Sequence, residues 1–223
     1  MAAATEAPYS FADLHARLGG IPLNRIRMRP SPGSATEGDL ERAGKPICEL
    51  IDGVLVDKPM GAFESFLGVE LSRPIANHVE ANDLGVTLGE AGFVRLGENL
   101  VRAPDVTFIP WSEFPNDEVP ADEAFWTVAP GLVVEVLSPS NTVAEIDRKL
   151  AEFFAVGCKL AWTIDPRAKT ARVYTSVKKF KELDETGILS GGKVLPGFSL
   201  GSRSCSRRQS ARRKSRGKAV RPC

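Results

Sequence analysis

The segment Leu132-Val-Val-Glu-Val-Leu137 constrains the fold of this 223-residue chain more than any other. It is apolar on both faces, as a central strand covered by helices on each side must be. Yet Glu135 stands in its middle, on the same face as Val133 and Leu137 because side chains alternate along a strand. A buried carboxylate costs several kcal/mol of desolvation unless it is protonated, paired or bound to a cation. An internal salt bridge, with Lys149 as the partner at hand, is one answer, and a bound metal ion is the other.

The pattern around this strand predicts a mixed α/β fold, one sheet flanked by helices. Ile47–Val56 carries Asp52-Gly53 between β-prone flanks and predicts a hairpin. Phe63, Leu67, Leu71, Ile75 and Val79 recur at helical spacing over 62–80, with Pro74 as a kink or break. Strands are expected over 92–96, 100–109 and 132–138. The Pro- and acid-rich insert 110–130, with Trp111, Phe114, Phe125 and Trp126, reads as a flap that packs down. Thr142-Val-Ala-Glu145 has the form of a capping box and opens a helix that Gly157 ends. Residues 159–164 and 170–175 read as closing strands. Residues 1–45, rich in Ala, Gly, Pro and Arg, are expected to be a poorly ordered extension with at most a short helix near Phe11–Leu18. The domain then spans 46–200.

Two further carboxylates join Glu135. Asp105 follows Pro104 and opens the apolar run Val106-Thr-Phe-Ile109, where it is either a turn aspartate or a second strand-borne ligand. Glu64 falls on the apolar side of the 62–80 helix, between Leu71 and Ile75 on the helical wheel. Three converging oxygen donors suit a hard cation such as Mg²⁺.

These residues carry a resemblance. Pro104-Asp105 on one strand and Glu135-Val-Leu137 on the next resemble the PD-(D/E)xK nucleases, which cut DNA with Mg²⁺. More closely, Glu49-Leu-Ile-Asp-Gly53, Val101-Arg-Ala-Pro-Asp105, Val133-Val-Glu-Val-Leu-Ser-Pro-Ser140, Asp147-Arg-Lys-Leu150 and Leu195-Pro-Gly-Phe198 are similar, in order, to the Uma2 family of restriction-endonuclease-like proteins. The resemblance implies a restriction-endonuclease-like core, a mixed four-stranded sheet with a helix on each side. It implies a metal-dependent endonuclease acting on nucleic acid, DNA first, with Mg²⁺ or Mn²⁺ held by Asp105, Glu135 and the carbonyl of Val136. It implies Lys149 as the ammonium at the scissile phosphate, because the superfamily lysine position, two residues after the glutamate, is Leu137 here. Lys149 borders the apolar face of its helix, so it either snorkels outward or points into the cleft. Glu64 stands where similar sequences often carry His. Glu49 is either a partner that orients another site residue or a brace for the hairpin. A homodimer is expected by analogy alone.

Composition narrows the alternatives. No apolar run approaches the ~18 residues of a membrane span and the first ten residues do not form a signal peptide, so a cytoplasmic protein is expected. Four cysteines without a C-x-x-C pair, and two histidines, argue against a zinc site. A two-carboxylate glycosidase would need a cleft rich in exposed aromatics, and the three tryptophans are spread along the chain. A nuclease fold that has lost activity and only binds nucleic acid or a protein is the other reading, although an idle buried carboxylate is expensive.

Residues 201–223 hold nine Lys and Arg and no acid, which leaves 20 basic and 28 acidic residues in positions 1–200, a net −8. An acidic body repels a polyanion unless cations gather locally, and Arg95, Arg102, Arg148, Lys149, Arg167 and Lys169 are the residues that could form a patch. The basic tail reads as disordered: a nucleic-acid-binding arm, an idle solvated end, or a frameshifted terminus. The last follows from back-translating Gly201–Ser206 as GGC TCC CGC AGC TGT TCG, whose neighbouring frame reads Leu-Pro-Gln-Leu-Phe, the kind of ending similar chains carry.

Overall fold

The computed structural model describes residues 10–59 and 61–201; the basic tail beyond Gly201 lies outside them. Order begins well before Pro46, against the expectation for 1–45. Helix α1 (Phe11–Arg17), capped by the Ser10 hydroxyl, leads into a short 3₁₀ turn and then α2 (Glu37–Glu41), which has a Thr36–Asp39 capping box. The reason lies in four apolar residues spread through a polar stretch. Leu14, Leu18, Ile21 and Ile26 are buried in one cluster with Ile51, Val54 and Val56 of the following hairpin.

That hairpin is β1 (Cys48–Ile51) and β2 (Val54–Asp57), joined by Asp52-Gly53 with φ of 50° and 72°, both left-handed as a type I′ turn requires. Gly53 is needed for a second reason. A Cβ there would lie 2.6 Å from the Gly33 carbonyl oxygen, so the N-terminal segment and the turn could not meet.

Helix α3 (Ala62–Ala81) runs straight through Pro74. Proline costs a helix interior about 3 kcal/mol, but Leu67, Leu71, Ile75 and Val79 on both sides of it are buried against the sheet, at roughly 1.5–3 kcal/mol each. The stripe outweighs the proline, and no break forms.

β3 (Gly85–Gly89), unforeseen in the sequence, precedes β4 (Val94–Gly97). The expected strand over 100–109 is in fact two, β5 (Leu100–Arg102) and β6 (Val106–Pro110), and they belong to different sheets. Ala103-Pro104-Asp105 is the crossover. β2, β1, β5 and β4 form an antiparallel four-stranded sheet. The insert packs down as expected, with Phe114 and Phe125 buried. Two of the three tryptophans are not spread in space: Trp111 and Trp126 both sit edge-on to Phe114, at 6.1 and 5.3 Å between ring centres.

β7 (Leu132–Val136), α4 (Val143–Ala155) and β8 (Leu160–Asp165) make the one parallel crossover, followed by β9 (Thr170–Ser176) and β10 (Lys179–Leu183). The six-stranded sheet has the order β10-β9-β8-β7-β6-β3, and only β7 and β8 run parallel. β11 (Ile188–Ser190) and β12 (Ser199–Gly201) form a small separate pair. Alternation along β7 sorts the core. Leu132, Val134 and Val136 share the cluster under α3, while Val133 packs with Ile146, Leu150 and Phe153 of α4. Glu135 therefore faces α4.

Candidate active site

The register of the two central strands builds the site. Val106 pairs with Val134 and Thr107 with Val133, so Asp105, one residue before β6, lies along the Val134–Val136 stretch of β7 and next to Glu135. Asp105 sits where β6 bends away, and its side chain extends the ladder: its N–H donates to Val134 O (3.1 Å) and its Oδ2 accepts from the Val136 N–H (2.6 Å). Pro104 before it has no N–H to satisfy at the crossover. Glu49 on β1 pins the same crossover by accepting from the Ala103 N–H (3.0 Å).

Three cations converge on these carboxylates. Lys149 lies on the buried stripe of α4 with Ile146, Leu150 and Phe153, and its Nζ is 2.8 Å from Glu135 Oε1 and 2.9 Å from Glu49 Oε1. Lys58, just past β2, brings its Nζ to 2.7 Å from Asp105 Oδ1. Arg102 on β5 spans Glu49 Oε2 (2.9 Å) and Glu152 Oε2 (2.6 Å). Every one of these side chains except Glu152 is at most 10% exposed. The pairing continues outward through Glu152–Arg148, Arg148–Asp52 and Asp52–Arg17, alternating in sign up to the surface.

The charges are unequally settled. Burial raises the pKa of Glu49, but Lys149, Arg102 and Lys58 outweigh it and hold the carboxyl far below the ordinary range. Burial opposes the charge on Lys149, and Glu135 and Glu49 more than restore it, so the ammonium is held charged. Glu135 is different: desolvation, with Asp105 and Glu49 as like-charged neighbours, overcomes Lys149 and Lys58 and pushes it up to about 7. Glu135 is thereby poised to exchange a proton near neutrality.

Among the described residues no three His, Cys, Asp or Glu side chains come together as a metal-binding group, so a cation here would rest on two carboxylates. The donor set still fits one. Glu135 Oε1 and Lys58 Nζ are buried, and each has one close charged partner among the described residues, Lys149 Nζ at 2.8 Å and Asp105 Oδ1 at 2.7 Å, so Glu135 Oε1 keeps acceptor capacity beyond its one ammonium contact. A hard divalent ion held by one or two carboxylates, keeping several waters, can use that capacity. Past Leu137 and Thr163, on the Glu135 face of the sheet, opens a cleft of about 180 Å³ whose charged lining is mixed, Asp147 and Asp165 with Arg167 and Arg172. The register carries a polar row sideways across the sheet, from Glu135 to its partner Thr163 and from Thr163 to Arg172.

Not all expected residues come together. Glu64 is half-buried in the first turn of α3, with its carboxylate folded back over Gly61 and no ion pair among the described residues. One turn later Gly68 rests against Asp105, where an added Cβ would stand 3.9 Å from the Asp105 Cβ. Glu64 thus belongs to the rim rather than to the cluster. The wheel overstates its burial because the first turn of α3 is solvent-facing, with Ala62, Phe63 and Phe66 exposed. Leu137 packs with the α4 cluster. Glu49 braces Lys149 and the crossover rather than the hairpin turn. No basic patch forms from the six residues that could have made one: Arg95 pairs with Glu37, Arg102 and Arg148 with Glu152, Lys149 with Glu49 and Glu135, Arg167 with Asp165 and Lys169 with Glu185. Lys58 was not foreseen from the sequence. Its signal is period two: it continues the buried face of Val54 and Val56 past the end of β2.

A comparison with curated proteins finds no match. Among solved structures, a "putative nuclease belonging to DUF820" from Anabaena variabilis superposes with a TM-score of 0.64 at 22% identity, covering 73% of this chain and 90% of that one. It shares the fold. The Uma2 family profile, described as "Putative restriction endonuclease", matches residues 38–203. That span holds the hairpin, both sheets and every member of the buried cluster, and by it this chain belongs to the Uma2 family.

Proposed function

We propose that the protein is a metal-dependent endonuclease that hydrolyses phosphodiester bonds of nucleic acid, with DNA as the substrate. The observation that carries this reading is the buried carboxylate pair Asp105 and Glu135 on neighbouring strands, with the ammonium of Lys149 2.8 Å from Glu135 Oε1. Asp105 and Glu135 would hold Mg²⁺ or Mn²⁺ together with the Val136 carbonyl. Bound there, the ion supplies Lewis acidity, lowering the pKa of a water and polarising a phosphoryl oxygen.

The chain's own residues do the rest. Lys149 keeps Glu49 as a partner, so its charge stays fixed at the cleft while phosphate gains negative charge in the transition state. Fixed charge in a dry site is worth more than the same charge in water. Glu49 and Arg102 position that lysine. Glu64 on the rim would orient water. The cleft with Arg167 and Arg172 gives the strand a path on the Glu135 side, and in-line attack there would break the P–O3′ bond. A homodimer would let two such sites cut both strands.

Plasmid and single-stranded DNA, each with and without Mg²⁺, test the reading on wild type and Glu135→Ala. Cleavage by wild type with Mg²⁺ alone, absent in the variant, is expected. Equal degradation by wild type, Asp105→Ala and Glu135→Ala would refute the assignment. No cleavage under any condition favours an inactive nuclease fold that binds.

A further inference from the structure

We propose that Lys58 is the internal counter-ion of the metal site: its ammonium stands beside Asp105 where a divalent ion must act, and it is displaced when the ion binds. This rests on Asp105 and Glu135 being the metal ligands. The two buried lysines are not equivalent. Lys149 touches two carboxylates, Glu135 at 2.8 Å and Glu49 at 2.9 Å. When an ion takes Glu135, Lys149 keeps Glu49. Lys58 has one close carboxylate among the described residues, Asp105 at 2.7 Å, and its side chain is 4% exposed. When an ion takes Asp105, Lys58 keeps no close partner among the described residues, only the longer-range attraction of Glu49 and Glu135.

A buried ammonium without a partner is costly, and the approach of a dication adds repulsion at short range. Lys58 must therefore swing away. Its anchor allows this, since only its backbone is tied to the adjoining strand, by its N–H donating to Ile47 O (2.8 Å), and four methylenes separate that anchor from the charge. Without metal, Lys58 keeps Asp105 neutralised so that the domain folds. With metal, the ion replaces it. Binding is then an exchange of one cation for another, weaker than a vacant pair of carboxylates would give.

Calorimetric titration of chelator-stripped protein with Mn²⁺, without nucleic acid, reads this directly. Lys58→Met is expected to bind Mn²⁺ at least tenfold more tightly than wild type, and Mn²⁺ should raise its thermal midpoint further. Lys58→Arg, which keeps the charge, should bind no more tightly than wild type. Lys58→Gln replaces the methionine variant if that does not fold. Wild-type binding with an equal or weaker affinity in Lys58→Met overturns the counter-ion role alone. Absence of Mn²⁺ binding in both proteins overturns the two-carboxylate site, and this role with it.

Discussion

Replacing Glu135 by glutamine should make the metal-free protein's stability differ from wild type in a way that grows with pH. The folded carboxyl titrates at about 7 against 4.5 for the free side chain. Its folded pKa is raised, so whatever stability the group contributes is fully present below the unfolded value and is lost as pH rises through the folded one. Linkage, at about 1.36 kcal/mol per pH unit, makes the limiting loss roughly 3 kcal/mol, most of it between pH 5 and pH 8. No discount for solvent applies, since Glu135 is buried. The charges facing it are Lys149, Lys58, Asp105 and Glu49, and glutamine mimics its protonated form before all four. The assay is urea unfolding of both proteins in chelator at pH 5, 6, 7 and 8. Comparing them cancels titrations away from the cluster, and the lowered pKa values of Glu49 and Glu145 act at more acid pH. With an m-value of about 2 kcal/mol/M, the variant's midpoint should gain on wild type by roughly 1 M from pH 5 to pH 8. Mn²⁺ should reverse the wild-type loss, because binding draws on the ionised form. A constant difference between the two proteins across this range would refute the reasoning, since Glu135 would then ionise in the ordinary range.

Asp105→Asn should abolish Mn²⁺ binding in calorimetry and lower stability by about 3–5 kcal/mol in denaturant titration, because it strands the Lys58 ammonium in the interior. Lys149→Met should retain Mn²⁺ binding but lose roughly 10²–10³ in the single-turnover cleavage rate, the usual scale for one electrostatic contact to a transition state. Arg25→Ala should cost about 3–5 kcal/mol in urea unfolding, since Arg25 donates two hydrogen bonds to Glu145, at 2.6 and 3.0 Å, in a buried pair. A loss below about 1 kcal/mol would mean that the N-terminal segment is not part of the cooperative unit.

What the sequence disclosed was set by periodicity. β7, α4 and the Asp52-Gly53 turn were legible because each signal is local: alternation, a capping box, a dipeptide that tolerates positive φ. Glu135 was legible as a charge at odds with its neighbours. Contacts between distant segments were not. The single apolar run 100–109 concealed a crossover between two sheets, because both halves are buried and Pro104 marks the bend without saying where the chain goes. The burial of residues 10–45 depends on Leu14, Leu18, Ile21 and Ile26 meeting one hairpin face, and their spacing has no single period. Lys58 lay hidden because one lysine after a short strand looks solvated until Asp105, 47 positions later, is folded against it.

The face of β7 on which Glu135 lies also explains how the site works with leucine at 137. A cation serving Glu135 must come from the same face, from a neighbouring strand or from α4 above it. α4 already places one residue per turn on that face, so a lysine at 149 reaches Glu135 without disturbing the strand, and Leu137 is free to pack beneath the helix. The cost appears elsewhere. Lys58, Lys149, Arg102 and Arg25 are all bound to internal carboxylates, so these cations, which might offset the −8 of positions 1–200, are withdrawn from the surface. In the proposed reaction, substrate attraction would then come less from a broad basic face than from the ion, from Lys149 and from the arginines of the adjoining cleft. Few phosphates would be neutralised by residues 10–201. Affinity measured on a chain ending at Gly201 should therefore depend only weakly on salt, with a log–log slope no steeper than about −3, where six to ten phosphate contacts would give about −5 to −9. A slope in that steeper range would mean that the paired arginines open to the substrate and that the internal network is not the binding-competent state.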